Sequence, residues 1–256
     1  INGTLFMNNA AEDDAVATLA TSGTADIQID EIRLEDEFAS GSGDDDDNGE
    51  ISEFVIDHTG AGTLEIVGDS DGIEMGSTPT LTFTGTGNIV FDTFDGDVED
   101  TGVDGDDVLE TLDASGLSGN LNVGAIESVN SGEFALVSGT GVTIAQLRDS
   151  SLDSDGDDDT PNTADDLDGW TIDYSDAAPG SKFTLGDDLS FDDGSTLNID
   201  MGANGTLCIA ESYDLSQLSF TFNGDLPIVL ESGVELTLTA EQASGLNIVA
   251  APDADP

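Results

Sequence analysis

Two stretches of this chain carry carboxylates at spacings that could hold a hard divalent cation. In Gly102-Val103-Asp104-Gly105-Asp106-Asp107-Val108-Leu109-Glu110, three aspartates sit among glycines that permit a tight turn. In Asp153-Ser154-Asp155-Gly156-Asp157-Asp158-Asp159, every second position from 153 to 159 is an acid. Calcium takes about six to eight oxygens from carboxylates, backbone carbonyls and amides, and loops dense in Asp, Asn and Gly supply them. The candidate ligands are therefore Asp104, Asp106, Asp107, Asp153, Asp155, Asp157 and Asp159. Two carboxylates 4 Å apart repel by about 4 kcal/mol at an effective dielectric of 20, so an ordered segment of this density calls for a counter-ion. Softer metals do not fit. His58 and Cys208 are the only His and Cys in the chain and cannot close a zinc site between them.

The composition points the same way. The 256 residues include 56 acids against three bases, Arg33, Arg148 and Lys182, a formal charge of −53. Of the acids 40 are Asp and 16 Glu, a bias toward the short side chain that suits tight oxygen cages. An acidic surface that only holds water and keeps copies apart is the competing reading. Either way, nucleic acid and anionic membrane surfaces are excluded as partners, because both are gripped through Lys and Arg. Cations, neutral glycans and further copies of the chain remain. One cysteine rules out a disulfide framework, and Cys208 fits a small buried hydrophobe.

Catalysis finds little support. His58 lies in Ile56-Asp57-His58-Thr59-Gly60 with no nucleophile motif around it and is expected at the surface or in a loop. Carboxylate pairs for glycoside hydrolysis are available anywhere among 56 acids, and none is distinctive. Trp170, Tyr174 and Tyr213 are too few for a sugar-stacking platform and are assigned to cores. Thr78, Thr80, Thr82, Thr84 and Thr86 alternate and place hydroxyls on one face of a strand. An ice- or sugar-binding array would need matching rows on neighbouring strands, and no second run of this kind stands out.

The elements that must position these residues are strands. Short apolar or alternating runs recur between Gly, Asp, Asn and Ser, and in the last third they begin near Leu189, Leu197, Leu207, Leu218, Ile228, Leu236 and Leu246. Such spacing predicts an all-β chain, either β-solenoid-like or built of tandem β-sandwich domains, with calcium-binding loops. Helical patterning is confined to 12–20, 30–38 and 143–147. The acidic stretch divides the chain into an N-terminal β-rich region, 1–148, a calcium loop or linker, 149–169, a C-terminal β-rich region, 170–250, and a linker-like tail, 251–256. The start at Ile1, with no initiator Met, charged n-region or long apolar stretch, suggests a chain processed or cut from a longer one.

Gly102, Gly105, Asp107 and Leu109 resemble the first glycine, third glycine, ligand and core aliphatic of the nonapeptide of RTX proteins, the calcium-binding β-rolls of secreted bacterial proteins; Val103 replaces the second glycine. The run from Asp153 resembles the start of an EF-hand or thrombospondin-type calcium loop. It departs at Asp158 and Ala164, where an EF-hand has its glycine and its bidentate acid. Thr111 to Val123 and Leu238 to Leu246 resemble the repetitive segments of bacterial S-layer proteins and large secreted adhesins. The resemblance implies a non-enzymatic, extracellular, calcium-stabilised structural protein that self-assembles into a surface layer, matrix filament or adhesin stalk. The alternative is a carbohydrate- or ice-binding module of a secreted adhesin.

Overall fold

The computed structural model describes residues 4–8, 15–35, 51–67, 73–74, 80–91, 94–95, 109–127, 129, 133–152 and 169–251. Among them there is no helix, and every strand pairing is parallel. The first sheet has eight strands in chain order, Ala15–Gly23, Ile51–Gly60, Thr80–Gly85, Thr111–Leu117, Glu133–Val137, Gly169–Asp173, Thr196–Gly202 and Ser219–Gly224. The second has thirteen, ten of them in one path from Thr4–Asn8 through Leu121–Glu127, Thr143–Leu147, Lys182–Leu185 and Thr206–Ile209 to Ile248–Ala250. From Ala15 onward the chain visits the first sheet, crosses to the second and returns. Each strand pairs with the equivalent strand of the next repeat. Glu133–Val137 pairs along its whole length with Gly169–Asp173, so the first sheet continues across the acidic stretch 149–169.

Strand formation follows a period of two. In Thr196–Gly202, Leu197, Ile199 and Met201 are buried while Thr196, Asn198 and Asp200 face outward. Phe54 and Ile56, Leu81 and Phe83, and Phe134 and Leu136 repeat that pattern. In-register pairing stacks these residues into inward columns, one running Phe54, Leu81, Leu112, Leu136, Ile172, Ile199, Phe222. The columns merge into one core. Through it runs an aromatic chain in which Trp170 meets Phe134 and Phe191 edge-on, with centroids 6.4 and 5.8 Å apart, and Phe191 meets Tyr213 at 5.5 Å. Trp170, Tyr174 and Tyr213 are thus core residues, as expected.

The three short stretches expected to be helical form strands where they are described, Ala15–Gly23, Glu31–Glu35 and Thr143–Leu147, with Asp30 in the bend before the second. In the last, Thr143, Ala145 and Leu147 are buried and Ile144 is exposed. An apolar residue on the solvent side made this run imitate a helical turn.

The crossing from the first sheet to the second is tight and repeats its chemistry. The Asn120 N–H donates to Asn88 Oδ1 and the Val142 N–H to Asn120 Oδ1, both at 3.0 Å, while the Thr63 N–H donates to Asp26 Oδ1 at 2.9 Å. Each side chain thereby satisfies a backbone donor that the bend takes out of the ladder. Gly87, Gly119 and Gly141 stack at this corner so closely that a Cβ on Gly119 or Gly141 would collide with the carbonyl oxygen of the glycine one repeat earlier. At the far end, Gln242 Nε2 donates to the carbonyls of Leu215 and Leu218 at 2.9 and 3.0 Å, and half-buried Leu238 and Leu246 pack on the core. Replacing Gly119 by Ala should lower stability by about 3 kcal/mol through this backbone clash. A urea midpoint indistinguishable from that of the parent chain would show that the corner yields instead.

Candidate functional site

Asp104, Asp106, Asp107, Asp153, Asp155, Asp157 and Asp159 lie outside the described residues, and the strands around them fix where in the repeat they belong. Segments 36–50, 96–108 and 153–168 each occupy the return toward the next strand of the first sheet. They carry seven, six and eight acidic residues. The opposite crossings, such as 61–62, 86–87, 118–120 and 203–205, carry none. Other crossings of that side carry a single acid each, Asp26, Asp176 and Asp225, so the acid-dense segments all fall on one connection of the repeat. Buried residues flank the candidate loops: Leu109, the aliphatic position of the RTX-like turn, follows the first, and Leu152 and Trp170 bracket the second.

Among the described residues no three His, Cys, Asp or Glu side chains converge as a metal site would require. Their charges are managed in rows instead. Arg33, Glu74, Asp95 and Glu127 occupy one register position on four adjacent strands of the second sheet. Arg148, just past the end of the next strand, Thr143–Leu147, forms an ion pair with Glu127, with Asp149 at 3.9 Å. Both arginines of the chain thus bracket a run of three acids. On the first sheet, hydroxyls serve the same purpose. Thr82 Oγ1 donates to Glu53 Oε1 at 2.6 Å and Thr84 Oγ1 to Asp57 Oδ1 at 3.3 Å, each acid lying one repeat earlier.

His58 is fully buried, correcting the expectation of a surface or loop position. Nε2 donates to the Gly62 carbonyl at 3.0 Å, which leaves Nδ1 of the neutral ring to accept from Thr21 Oγ1 at 2.8 Å. A Cβ at Gly87 would strike the imidazole, so that glycine makes room for it. With both nitrogens committed, His58 ties two repeats together. Cys208 is buried, as expected, on the outer side of Thr206–Ile209. Burial pushes its thiol pKa up, against the opposing pull of Lys182.

Sequence reasoning missed the outer face of the first sheet. Thr80-Leu-Thr82 and Thr111-Leu-Asp113 align in register, as do Thr171-Ile-Asp173, Asn198-Ile-Asp200 and Thr221-Phe-Asn223; all are polar–apolar–polar, and the apolar Ala135-Leu-Val137 separates the two groups. The matching rows for the threonine run are present, spread over single positions 23 or more residues apart. The recurring tripeptide was the signal that could have revealed them. Over the last three of these strands, Thr171, Asp173, Asn198, Asp200, Thr221 and Asn223 line a shallow depression.

No protein-family model, curated protein or solved structure matches this chain.

Two tyrosines give the fold an alkaline limit. Burial raises Tyr174 far above the usual phenol range, and burial first, then the nearby acids, push Tyr213 up to about 12 against the opposing backbone hydrogen bond of Leu189; its hydroxyl donates to the Gly186 carbonyl. A phenol that ionises later in the folded than in the unfolded chain contributes stability that is complete below about pH 10 and is lost as pH rises through about 12. Urea midpoints should accordingly hold level to about pH 10 and then fall, with Tyr213→Phe showing a shallower decline; identical slopes for parent and variant would contradict this assignment.

Proposed function

We propose that this chain is a calcium-stabilised β-solenoid and a non-enzymatic structural protein of the extracellular surface, a subunit of a layer, matrix filament or adhesin stalk. The observation that carries the reading is the placement of three acid-dense segments on one connection of a repeating parallel fold whose sheets run uninterrupted past them. Segments 96–108 and 153–168 are equivalent connections of the repeat in chain order, and a solenoid stacks equivalent connections along one flank. Asp104, Asp106, Asp107, Asp153, Asp155, Asp157 and Asp159 supply only carboxylate oxygens, a donor set that suits Ca²⁺ and disfavours zinc or copper. Calcium held there neutralises the repulsion along the flank, and between copies it lets two flanks of equal charge approach. Both ring nitrogens of His58, the one histidine of the chain, are engaged in hydrogen bonds.

One calcium site at a hundredfold excess of ion over its Kd adds about 2.7 kcal/mol to stability. Titrating the chain from chelator to millimolar calcium, with sodium chloride at matched ionic strength, should raise the thermal midpoint and drive growth of scattering particles in calcium alone. Replacing Asp153, Asp155, Asp157 and Asp159 together by Asn should remove much of both responses. Equal responses to the two salts would reduce the acids to solvation.

A further inference from the structure

We propose that the outer face of the first sheet, from Gly169–Asp173 to Ser219–Gly224, binds a neutral hydroxyl-rich polymer, a β-linked glycan chain lying across the strands. Two columns form the face: Thr171, Asn198 and Thr221 in one, Asp173, Asp200 and Asn223 in the other. Neighbouring strands are about 4.8 Å apart and alternate residues of one strand about 6.6 Å, so the six side chains make a planar grid of hydrogen-bonding groups. A chain of pyranose rings running across the strands meets a like set of groups at each strand spacing.

The groups are prepared for such a ligand. The Ser175 N–H donates to Asp173 Oδ1 at 2.9 Å and the Gly202 N–H to Asp200 Oδ1 at 2.8 Å, which fixes both carboxylates from behind. Asn223 Nδ2 donates to the other oxygen of Asp200 at 2.9 Å, and the Thr221 hydroxyl donates to Asn198 Oδ1. The second oxygen of Asp173, the amide of Asn198 and the exposed Thr171 hydroxyl remain to exchange hydrogen bonds with sugar hydroxyls. Ile172 and Ile199, buried beneath, make the grid rigid.

Charge selects the class of polymer. Asp173 and Asp200 stand side by side in a chain of net charge −53, so uronate, sulfated and nucleic-acid polymers are repelled. A neutral glycan brings O–H donors to the acceptors that remain open on this face. The outer side of the second sheet differs: the corresponding strands present Ile144, Lys182 and Thr206 in one column and Gln146, Thr184 and Cys208 in the next. With little aromatic surface, each contact is weak and retention depends on several strands engaging one polymer.

The test uses the full chain in chelator, which separates it from the calcium reading: retention on microcrystalline cellulose, on chitin, and in gels cast with soluble β-glucan. Retention on at least one of these is expected. Thr171→Ala, Asn198→Ala and Thr221→Ala combined should weaken it by at least about tenfold at unchanged circular dichroism, the isosteric Thr171→Val should weaken it less, and Thr206→Ala on the other sheet should not alter it. Failure to be retained on all three, or equal retention of parent and triple variant, would overturn the proposal. Retention only in calcium, or arrest of ice growth with no polymer bound, would overturn it in favour of a cation or an ice lattice.

Discussion

Parallel strands in register repeat whatever they carry every 4.8 Å or so, and the rest of this molecule is a response to that constraint. Inside, repetition is favourable: Leu112, Leu136, Ile172 and Ile199 stack into a continuous apolar column. At the corners it is favourable again, since Asn88 and Asn120 each accept from the backbone of the following repeat. For charge it is unfavourable. Two carboxylates one strand spacing apart repel by about 3 kcal/mol at an effective dielectric of 20, and a chain with 56 acids cannot avoid such neighbours by chance.

Three devices deal with this. On the second sheet Arg148 is paired to Glu127. Threonine hydroxyls are donated to acids one repeat away on the first sheet. The densest acidic segments fall in the sequence between strands, on the return toward the first sheet. That distribution is why the functional reading rests on the return connections.

Much of the fold was legible in the sequence. The even spacing of short runs after Leu189 anticipated strands at Ser190–Phe191, Thr196–Gly202, Thr206–Ile209, Ser219–Gly224 and Ile228–Leu230. The burial of Trp170, Tyr174, Tyr213 and Cys208 followed from residue type. What escaped was information carried between repeats. Thr171, Asn198 and Thr221 share a column, yet nothing local marks them, because the repeat length varies and the period cannot be counted. Similar phrases also adopt different forms: Thr111–Leu117 is a strand, whereas Thr239 to Asn247, which echoes it, forms the turns that close the far end. His58 looked like a loop residue because its partners, Thr21 and Gly62, come from a neighbouring repeat and a corner.

The central claim is that cations bound on the return side hold the repeats in register. Hydrogen exchange resolved by peptide tests it most directly, comparing chelator, millimolar calcium and matched sodium chloride. The account predicts that amides of Thr111–Leu117 and Gly169–Asp173, the strands that follow the two candidate calcium segments, gain protection in calcium beyond any gain in sodium. Equal protection of those strands in all three conditions would contradict it.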